Sequence, residues 1–215
     1  MNLRSRDADT IVAQATPAGY GGISVIRVSG PSAYAITTKL CSFLPEVIHS
    51  HQACFGNLYS ANHISSEPII IDEVVVTGFA NGKSFTGEES TEISCHGNPL
   101  IVKEIISQLI FCGARGADRG EFTYRAFMNG RIDLVQAEGV LSLIQSQSQT
   151  SALQSLRQLK GQLSNEFEAL ENDITWCLAH IEASIDFSTE GIDVVDNNVL
   201  ISRLLKFGFN NKNNK

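Results

Sequence analysis

The sequence lacks the features that place a chain in or across a membrane. None of its apolar runs approaches the about 18 residues that a membrane-spanning helix needs. Its first ten residues, MNLRSRDADT, contain no apolar segment of the kind found in a signal peptide. These absences predict a cytoplasmic protein with no membrane partner.

Positive charge is also scarce. The 16 Lys and Arg residues are outnumbered by 23 Asp and Glu residues, which gives a formal net charge of −7. The net negative charge of such a chain repels phosphate backbones, so RNA binding that does not depend on the RNA sequence is not expected. A local basic patch stays open, because four arginines lie close together in the sequence: Arg115, Arg119, Arg125 and Arg131.

Cysteine and metal-ligand patterns are missing as well. The five cysteines are scattered, odd in number and without a C-x-x-C pair, which predicts reduced, mostly buried thiols and no metal site. In ISCHG, Cys95 and His96 are neighbours on a predicted strand and point to opposite faces, so they cannot easily share a metal or form a dyad. A buried cysteine beside a structural or site-lining histidine is the favoured interpretation.

No P-loop occurs in these 215 residues. The segment VVVTGFANGKS, residues 74–84, comes near, but three residues separate its glycines where the Walker pattern has four. The polar turn FTGEES follows where an apolar-periodic helix would be needed to face a phosphate. We therefore predict a loop between strands and no GTP hydrolysis by this chain alone.

The patterns that are present divide the chain in two. Up to about residue 118, short β-rich runs alternate with turns and two helical segments, which predicts an α+β domain, 1–118, with a largely antiparallel sheet. From Asp133 the pattern is helical, and Asp133 itself suits the N-cap position. The expected boundaries are a joint at 119–132, an incomplete helical domain at 133–206 and a disordered tail at 207–215, whose FGFNNKNNK ending indicates a truncated chain.

The helical segment contains an apolar stripe. Two heptad series interleave at four-then-three spacing, which predicts one long helix with one apolar side. Packing on neighbouring helices is favoured over an intermolecular coiled coil. The residues of the stripe are Leu156, Leu163, Leu170 and Cys177, with Phe167, Ile174 and Ile181.

Two charged residues stand out on the predicted strands. Arg27 lies inside the apolar run VIRV, where a charge should be paired or face a ligand, unless the strand is at a sheet edge in water. Glu92 shares its strand face with His96, and a carboxylate accepts two parallel hydrogen bonds from an amino-pyrimidine edge as it does from arginine. By itself a surface glutamate is the simpler explanation of Glu92.

Four blocks of the sequence together resemble the MnmE (TrmE) family of tRNA-modification GTPases. They are DTIVAQATPAGYGGISVIRVSG, SFTGEESTEISCHGNP, GEFTYRAFMNGRIDLVQAEGVLSLIQSQS and IEASIDFSTEGID. The resemblance runs in consistent order from about residue 9 to residue 205. It is specific to that family rather than to a fold.

The resemblance implies an N-terminal domain similar to folate-dependent aminomethyltransferases, which binds 5-formyl- or 5,10-methylene-tetrahydrofolate and forms a homodimer. The family's folate contacts fall on Arg27, Glu92 and Arg131. With a flavoprotein partner of the MnmG type, the family modifies C5 of the wobble uridine of certain tRNAs. GTP, magnesium and potassium belong to a G domain that this sequence does not contain.

The sequence departs from the family pattern at three places and leaves alternatives open. It has Tyr20 for an arginine, Arg119 for a proline, and Asn98 for a glycine, where asparagine could still adopt the positive φ that a glycine supplies, though at a higher cost. The leading hypothesis is a folate-binding and dimerisation module. The alternatives are a non-catalytic remnant of a disrupted gene and a stand-alone one-carbon transferase, for which His96, Glu121 or Asp133 would have to be the acid or base and whose catalytic residues stay unknown.

Overall fold

The chain folds as two compact units. A computed structural model describes residues 9–61, 69–186 and 197–210, and the units are Met1–Ile132 and Asp133–Lys215. The first combines a sheet with helices, and the described part of the second is helical. The predicted α+β class is therefore confirmed.

The sheet of the first unit has six strands, β1 to β6. Their order is β3-β4-β5-β2-β1-β6, and every neighbouring pair is antiparallel except β1 and β6, which run parallel. The β-rich runs TIVAQAT, GISVIRV, ACFGNLYS, EPIIIDEVVVTGFA and TEISCH predict five of the six, and only the two-residue β6 has no such run. The strands are β1 (Ile11–Gln14), β2 (Gly21–Ser29), β3 (Ala53–Tyr59), β4 (Ile70–Phe79), β5 (Ser90–Gly97) and β6 (Arg115–Gly116).

Helices α1 (Ala33–Leu40) and α2 (Pro99–Phe111) cover one face of this sheet. Alternate strand residues point toward them, and each fully buried Val, Leu or Ile contributes about 1.5–3 kcal/mol. The opposite strand face carries the charged residues Arg27 and Glu92 together with partly exposed apolar side chains such as Phe55 and Val75. The core comprises Val12, Ile26, Val28, Val74, Val76 and Ile93 from strands, and Ala33, Ile36, Leu40, Val102, Ile105 and Leu109 from helices.

The start of α2 corrects one expectation. Asn98 has φ −103° and ψ 123°, so the backbone there is extended and no positive φ is needed. Its side chain accepts a hydrogen bond from the Leu100 N–H at 2.9 Å, and Pro99 occupies the first helical position. Asn98 is therefore the N-cap of α2, with proline following it at the position where a helix tolerates proline best.

A third helix, α3 (Glu121–Met128), lies inside the stretch 119–132 that was expected to be a joint. It belongs to the first unit, which extends to Ile132. Gly120 precedes it in a left-handed conformation, with φ 75° and no side-chain cap. The absence of a capping side chain explains why the sequence did not reveal this helix start.

The described part of the second unit consists of α4 (Leu134–Ile144), α5 (Gln149–Leu159), α6 (Gln162–Asp186) and α7 (Asn197–Asn210). Asp133 caps α4 as predicted: its carboxylate accepts from the Gln136 N–H while the Gln136 side chain accepts from the Asp133 N–H. Among the described helices, none is both long enough and apolar enough to cross a bilayer.

The prediction that one long helix carries the whole apolar stripe is wrong for Leu156, the first residue of the stripe. Gly161, with φ +78°, separates α5 from α6, so Leu156 lies on a different helix from the other residues. Within α6, Cys177 is buried, whereas Phe167 and Ile174 are about half exposed. A glycine in the left-handed region ends a helix whatever the apolar spacing around it.

The C-terminal boundary also differs from expectation. Helix α7 continues to Asn210, four residues into the predicted tail, and residues 211–215 lie outside the described part of the chain. Ser188, Thr189 and Gly191 interrupt the helical pattern and predict that α6 ends near them, but they lie outside the described part too.

Candidate functional site

The centre of the candidate site is a charged pair on the sheet face opposite α1 and α2. Arg27 of β2 and Glu92 of β5 are cross-strand partners. Because β2 lies between β5 and β1, the alternative of an edge-strand arginine in water is wrong. The Arg27 Nε and Nη2 donate to Glu92 Oε1 at 2.9 and 2.7 Å.

The geometry of this pair leaves polar atoms available. Both hydrogen bonds end on Oε1 of Glu92, and within the described residues no further contact engages Oε2. Nη1 of Arg27 is likewise not used in the pair. The two side chains are 25% and 30% exposed, so the pair can be reached from the surface, with one acceptor atom on Glu92 and one donor atom on Arg27 still unused in it.

The loop between β4 and β5 lies beside this pair, and hydrogen bonds of its buried hydroxyl groups hold it in place. Ser84 Oγ donates to the Glu88 carbonyl at 2.6 Å, and the Thr86 and Ser29 hydroxyls are 2.6 Å apart. The Gly82 N–H closes the loop on the Gly87 carbonyl. No helix follows, as predicted when the P-loop interpretation was rejected.

Two aromatic rings flank the guanidinium of Arg27. Its Cζ lies 5.4 Å from the ring centroid of Phe85, on the loop, and 5.6 Å from that of Phe122, on α3. Both distances fall within the range of cation–π contact. Neither phenylalanine was singled out from the sequence, because a lone Phe in a polar stretch carries no distinctive pattern.

Arg131 packs on the same loop. A Cβ on Gly87 would lie 2.9 Å from Cγ of Arg131, and Gly87 has φ +80°, so both the space and the backbone require glycine. Nearby, Asn129 Nδ2 donates to the Thr86 carbonyl at 2.8 Å. Thus Arg27 and Glu92 are in contact, and the exposed Arg131 borders the loop that carries Phe85.

A buried ionic cluster fixes α3 to this loop. The guanidinium of Arg125, 3% exposed, donates to both carboxylate oxygens of Glu88 at 3.1 and 3.2 Å, to Glu121 at 3.1 Å and to the Asp9 carbonyl at 2.8 Å. Arg115 adds two hydrogen bonds to Glu121. Sequence reasoning missed this cluster, although the i, i+4 spacing of Glu121 and Arg125 was a usable signal.

Two of the candidate general acids or bases, Glu121 and Asp133, already have structural hydrogen bonds. Burial would raise the pKa of Glu121, but hydrogen bonds from Arg115, the Asp118 N–H and Arg125 outweigh it and lower the pKa to about 2. Asp133 caps α4, and hydrogen bonds lower its pKa against the opposing effect of burial. A carboxylate that is ionised and bonded in this way is a poor general acid.

The ISCHG segment does not form a Cys–His dyad. Nδ1 of His96 lies 2.7 Å from Oδ1 of Asp72, whose other oxygen accepts from the His96 N–H at 2.8 Å. Cys95 is buried, and burial with the nearby Asp72 charge raises the pKa of its thiol to about 11. In the described ranges, no group of three or more His, Cys, Asp or Glu residues could hold a metal ion.

Two family models match the chain. "GTP-binding protein TrmE N-terminus" covers residues 10–131, and "MnmE helical domain" covers residues 134–208. The boundary between the two matched ranges falls at the same point of the sequence as the boundary between the two compact units.

Curated proteins called "tRNA modification GTPase MnmE" are similar over nearly the whole chain. That of Bdellovibrio bacteriovorus is 61% identical over 201 residues, which is 94% of this chain and 41% of that protein. Those of Cytophaga hutchinsonii and Legionella pneumophila are 46% and 41% identical, over 87% and 92% of this chain and 40% and 43% of their own length. The chain therefore spans about two fifths of the relatives it matches.

Proposed function

Because the chain belongs to the MnmE (TrmE) family of tRNA modification GTPases, and corresponds to its N-terminal and helical domains, we propose that its first unit binds a reduced folate at the Arg27–Glu92 pair. The observation that carries the proposal is this partly exposed charged pair, whose own two hydrogen bonds leave Oε2 of Glu92 as an acceptor and Nη1 of Arg27 as a donor. A pterin ring presents N–H and C=O groups along one edge, which such a pair can match.

Arg131 completes the proposed folate site from the other side of the loop. Its exposed guanidinium suits an anionic group, such as the glutamate carboxylates of the folate. When bound, 5-formyl- or 5,10-methylene-tetrahydrofolate would supply a one-carbon unit. The residues of this chain would hold and orient it.

The wider role follows from the family and is part of the same proposal. The chain would act in the cytoplasm in modification of a tRNA wobble uridine at C5, with an MnmG-type flavoprotein as partner. Hydrolysis of GTP, with magnesium and potassium, would be carried out by a G domain that is not among these residues. The test is the tRNA modification reaction reconstituted from an MnmG-type partner and a separate G-domain polypeptide, with and without the chain. Equal activity in the two mixtures would contradict this role.

We also propose that the first unit forms a homodimer. Ile23 and Phe55 are about 70% exposed, and Val75 lies with them around one cavity of the sheet face. Large apolar side chains grouped at a surface indicate a protein contact. Sedimentation at tens of micromolar is expected to give a dimer, and a monomer at that concentration would contradict it.

The folate proposal is tested by calorimetric titration of 5-formyltetrahydrofolate into the chain and its Glu92→Gln variant. Glutamine keeps the size of the side chain but removes the charge, so we expect affinity to fall about 10- to 100-fold, as for loss of a charged hydrogen bond. Glu73→Gln, an exposed glutamate on the neighbouring β4, is the matched control and should bind as wild type does. A folded wild-type chain that releases no heat would overturn the proposal.

A further inference from the structure

The loop between β4 and β5 is built with its polar residues inside and its apolar residue outside. Ser84 and Thr86 are 4% and 0% exposed, while Phe85 between them is 37% exposed. Folding alone favours the reverse, because apolar surface is stabilised by burial and hydroxyls are easily solvated. An ordered loop that presents a phenylalanine in this way indicates a surface shaped for a ligand.

A second ring meets Phe85 at the same place from a separate element. Phe122 belongs to α3, which is held to the loop by the bonds of Arg125 to Glu88 and of Asn129 to Thr86. Both rings approach the guanidinium of Arg27 to within 5.6 Å. Their positions are thus fixed by buried polar contacts that do not involve the rings themselves.

We propose that Phe85 and Phe122 are the aromatic walls of the site and hold the planar ring of the ligand, whose polar edge meets Arg27 and Glu92. The inference rests on the proposed folate function and identifies the pterin ring as the part that is held. Aromatic surfaces favour offset or edge contacts with planar rings, and a flat heteroaromatic ring in such contact with Phe85 or Phe122 would bring its polar edge to the charged pair.

The test is a set of titrations with Phe85→Leu and Phe122→Leu, which keep apolar bulk but remove the aromatic ring. Each is expected to weaken 5-formyltetrahydrofolate about three- to ten-fold. Phe85→Tyr keeps the ring and should bind like wild type. Phe111→Leu, an exposed phenylalanine at the end of α2, is the matched control and should also leave affinity unchanged.

Two fragments locate the effect within the ligand. The Leu variants should weaken 6-methyltetrahydropterin, which retains the pterin ring, by about the same factor. They should leave p-aminobenzoylglutamate, which lacks it, unaffected. Equal losses for both fragments, together with lower melting temperatures, would mean that the rings only support the fold, and would overturn the inference.

Two further outcomes distinguish a failure of the aromatic contacts from a failure of the proposed folate binding. If wild type binds the folate and Glu92→Gln weakens it, but both Leu variants bind like wild type, the aromatic walls are refuted and the folate site stands. If the folded wild-type chain binds no folate, both the folate proposal and the inference about Phe85 and Phe122 are refuted.

Discussion

Replacing Arg125 with methionine is expected to lower the free energy of unfolding of the first unit by about 3–5 kcal/mol. Methionine fills similar space but leaves the carboxylate of Glu88, 17% exposed, without its guanidinium partner. It also leaves the Asp9 carbonyl without its donor from Arg125. Glu121 is less affected, because Arg115 still donates two hydrogen bonds to it.

Urea unfolding followed by circular dichroism measures this loss, and alkylation of the buried Cys95 reports on the first unit specifically. Arg119→Met removes an exposed arginine next to the same helix and is expected to change stability by less than about 0.5 kcal/mol. Adding Glu88→Gln to Arg125→Met should restore part of the stability, since it removes the unpaired charge. A loss below about 1 kcal/mol for Arg125→Met would show that the cluster does not hold the site together.

Gly30→Ala is the second change with a large expected effect. Gly30 has φ +134°, and an added Cβ would lie 2.7 Å from Thr10 Cα and 2.9 Å from the Asp9 carbonyl oxygen. Strained backbone and overpacking each cost about 1–3 kcal/mol, so the sum is about 3 kcal/mol or more. The same Asp9 carbonyl binds Arg125, so the displacement should also reach the ionic cluster.

The control for this substitution is Gly22→Ala, on β2, the strand that ends just before Gly30. No atom lies within 4 Å of its added Cβ, and its φ is outside the positive range. We therefore expect a change within about 0.5 kcal/mol. If Gly30→Ala unfolds at the same urea concentration as Gly22→Ala, the close contact between the end of β2 and residues 9–10 is not rigid.

Local patterns predicted most of the fold because they depend on neighbouring residues. Alternation and turns identified five of the strands, and the side chain of Asp133 identified the start of α4. The reasoning that a charge within VIRV needs a partner was also sound, since Arg27 is paired with Glu92. That the three predicted residues bind folate stays a prediction.

What the sequence did not reveal depends on contacts between distant segments. The cluster around Arg125 joins residues 9, 88, 115 and 121, which no local pattern relates. The two phenylalanines escaped notice for the same reason. Phe85 and Phe122 belong to distant segments of the chain, and what relates them is that each ring contacts Arg27. Helix α3 and the break at Gly161 were missed because each depends on a glycine with positive φ, not on an apolar period.

The central claim is that a reduced folate binds at the Arg27–Glu92 pair beside the loop between β4 and β5. The most direct test is a crystal structure of the chain with 5-formyltetrahydrofolate at saturating concentration. We expect the pterin ring against Arg27 and Glu92 and in contact with Phe85 and Phe122, with an anionic group near Arg131. Folate bound elsewhere, for example in the cavity beside His96, or no bound folate, would contradict the account.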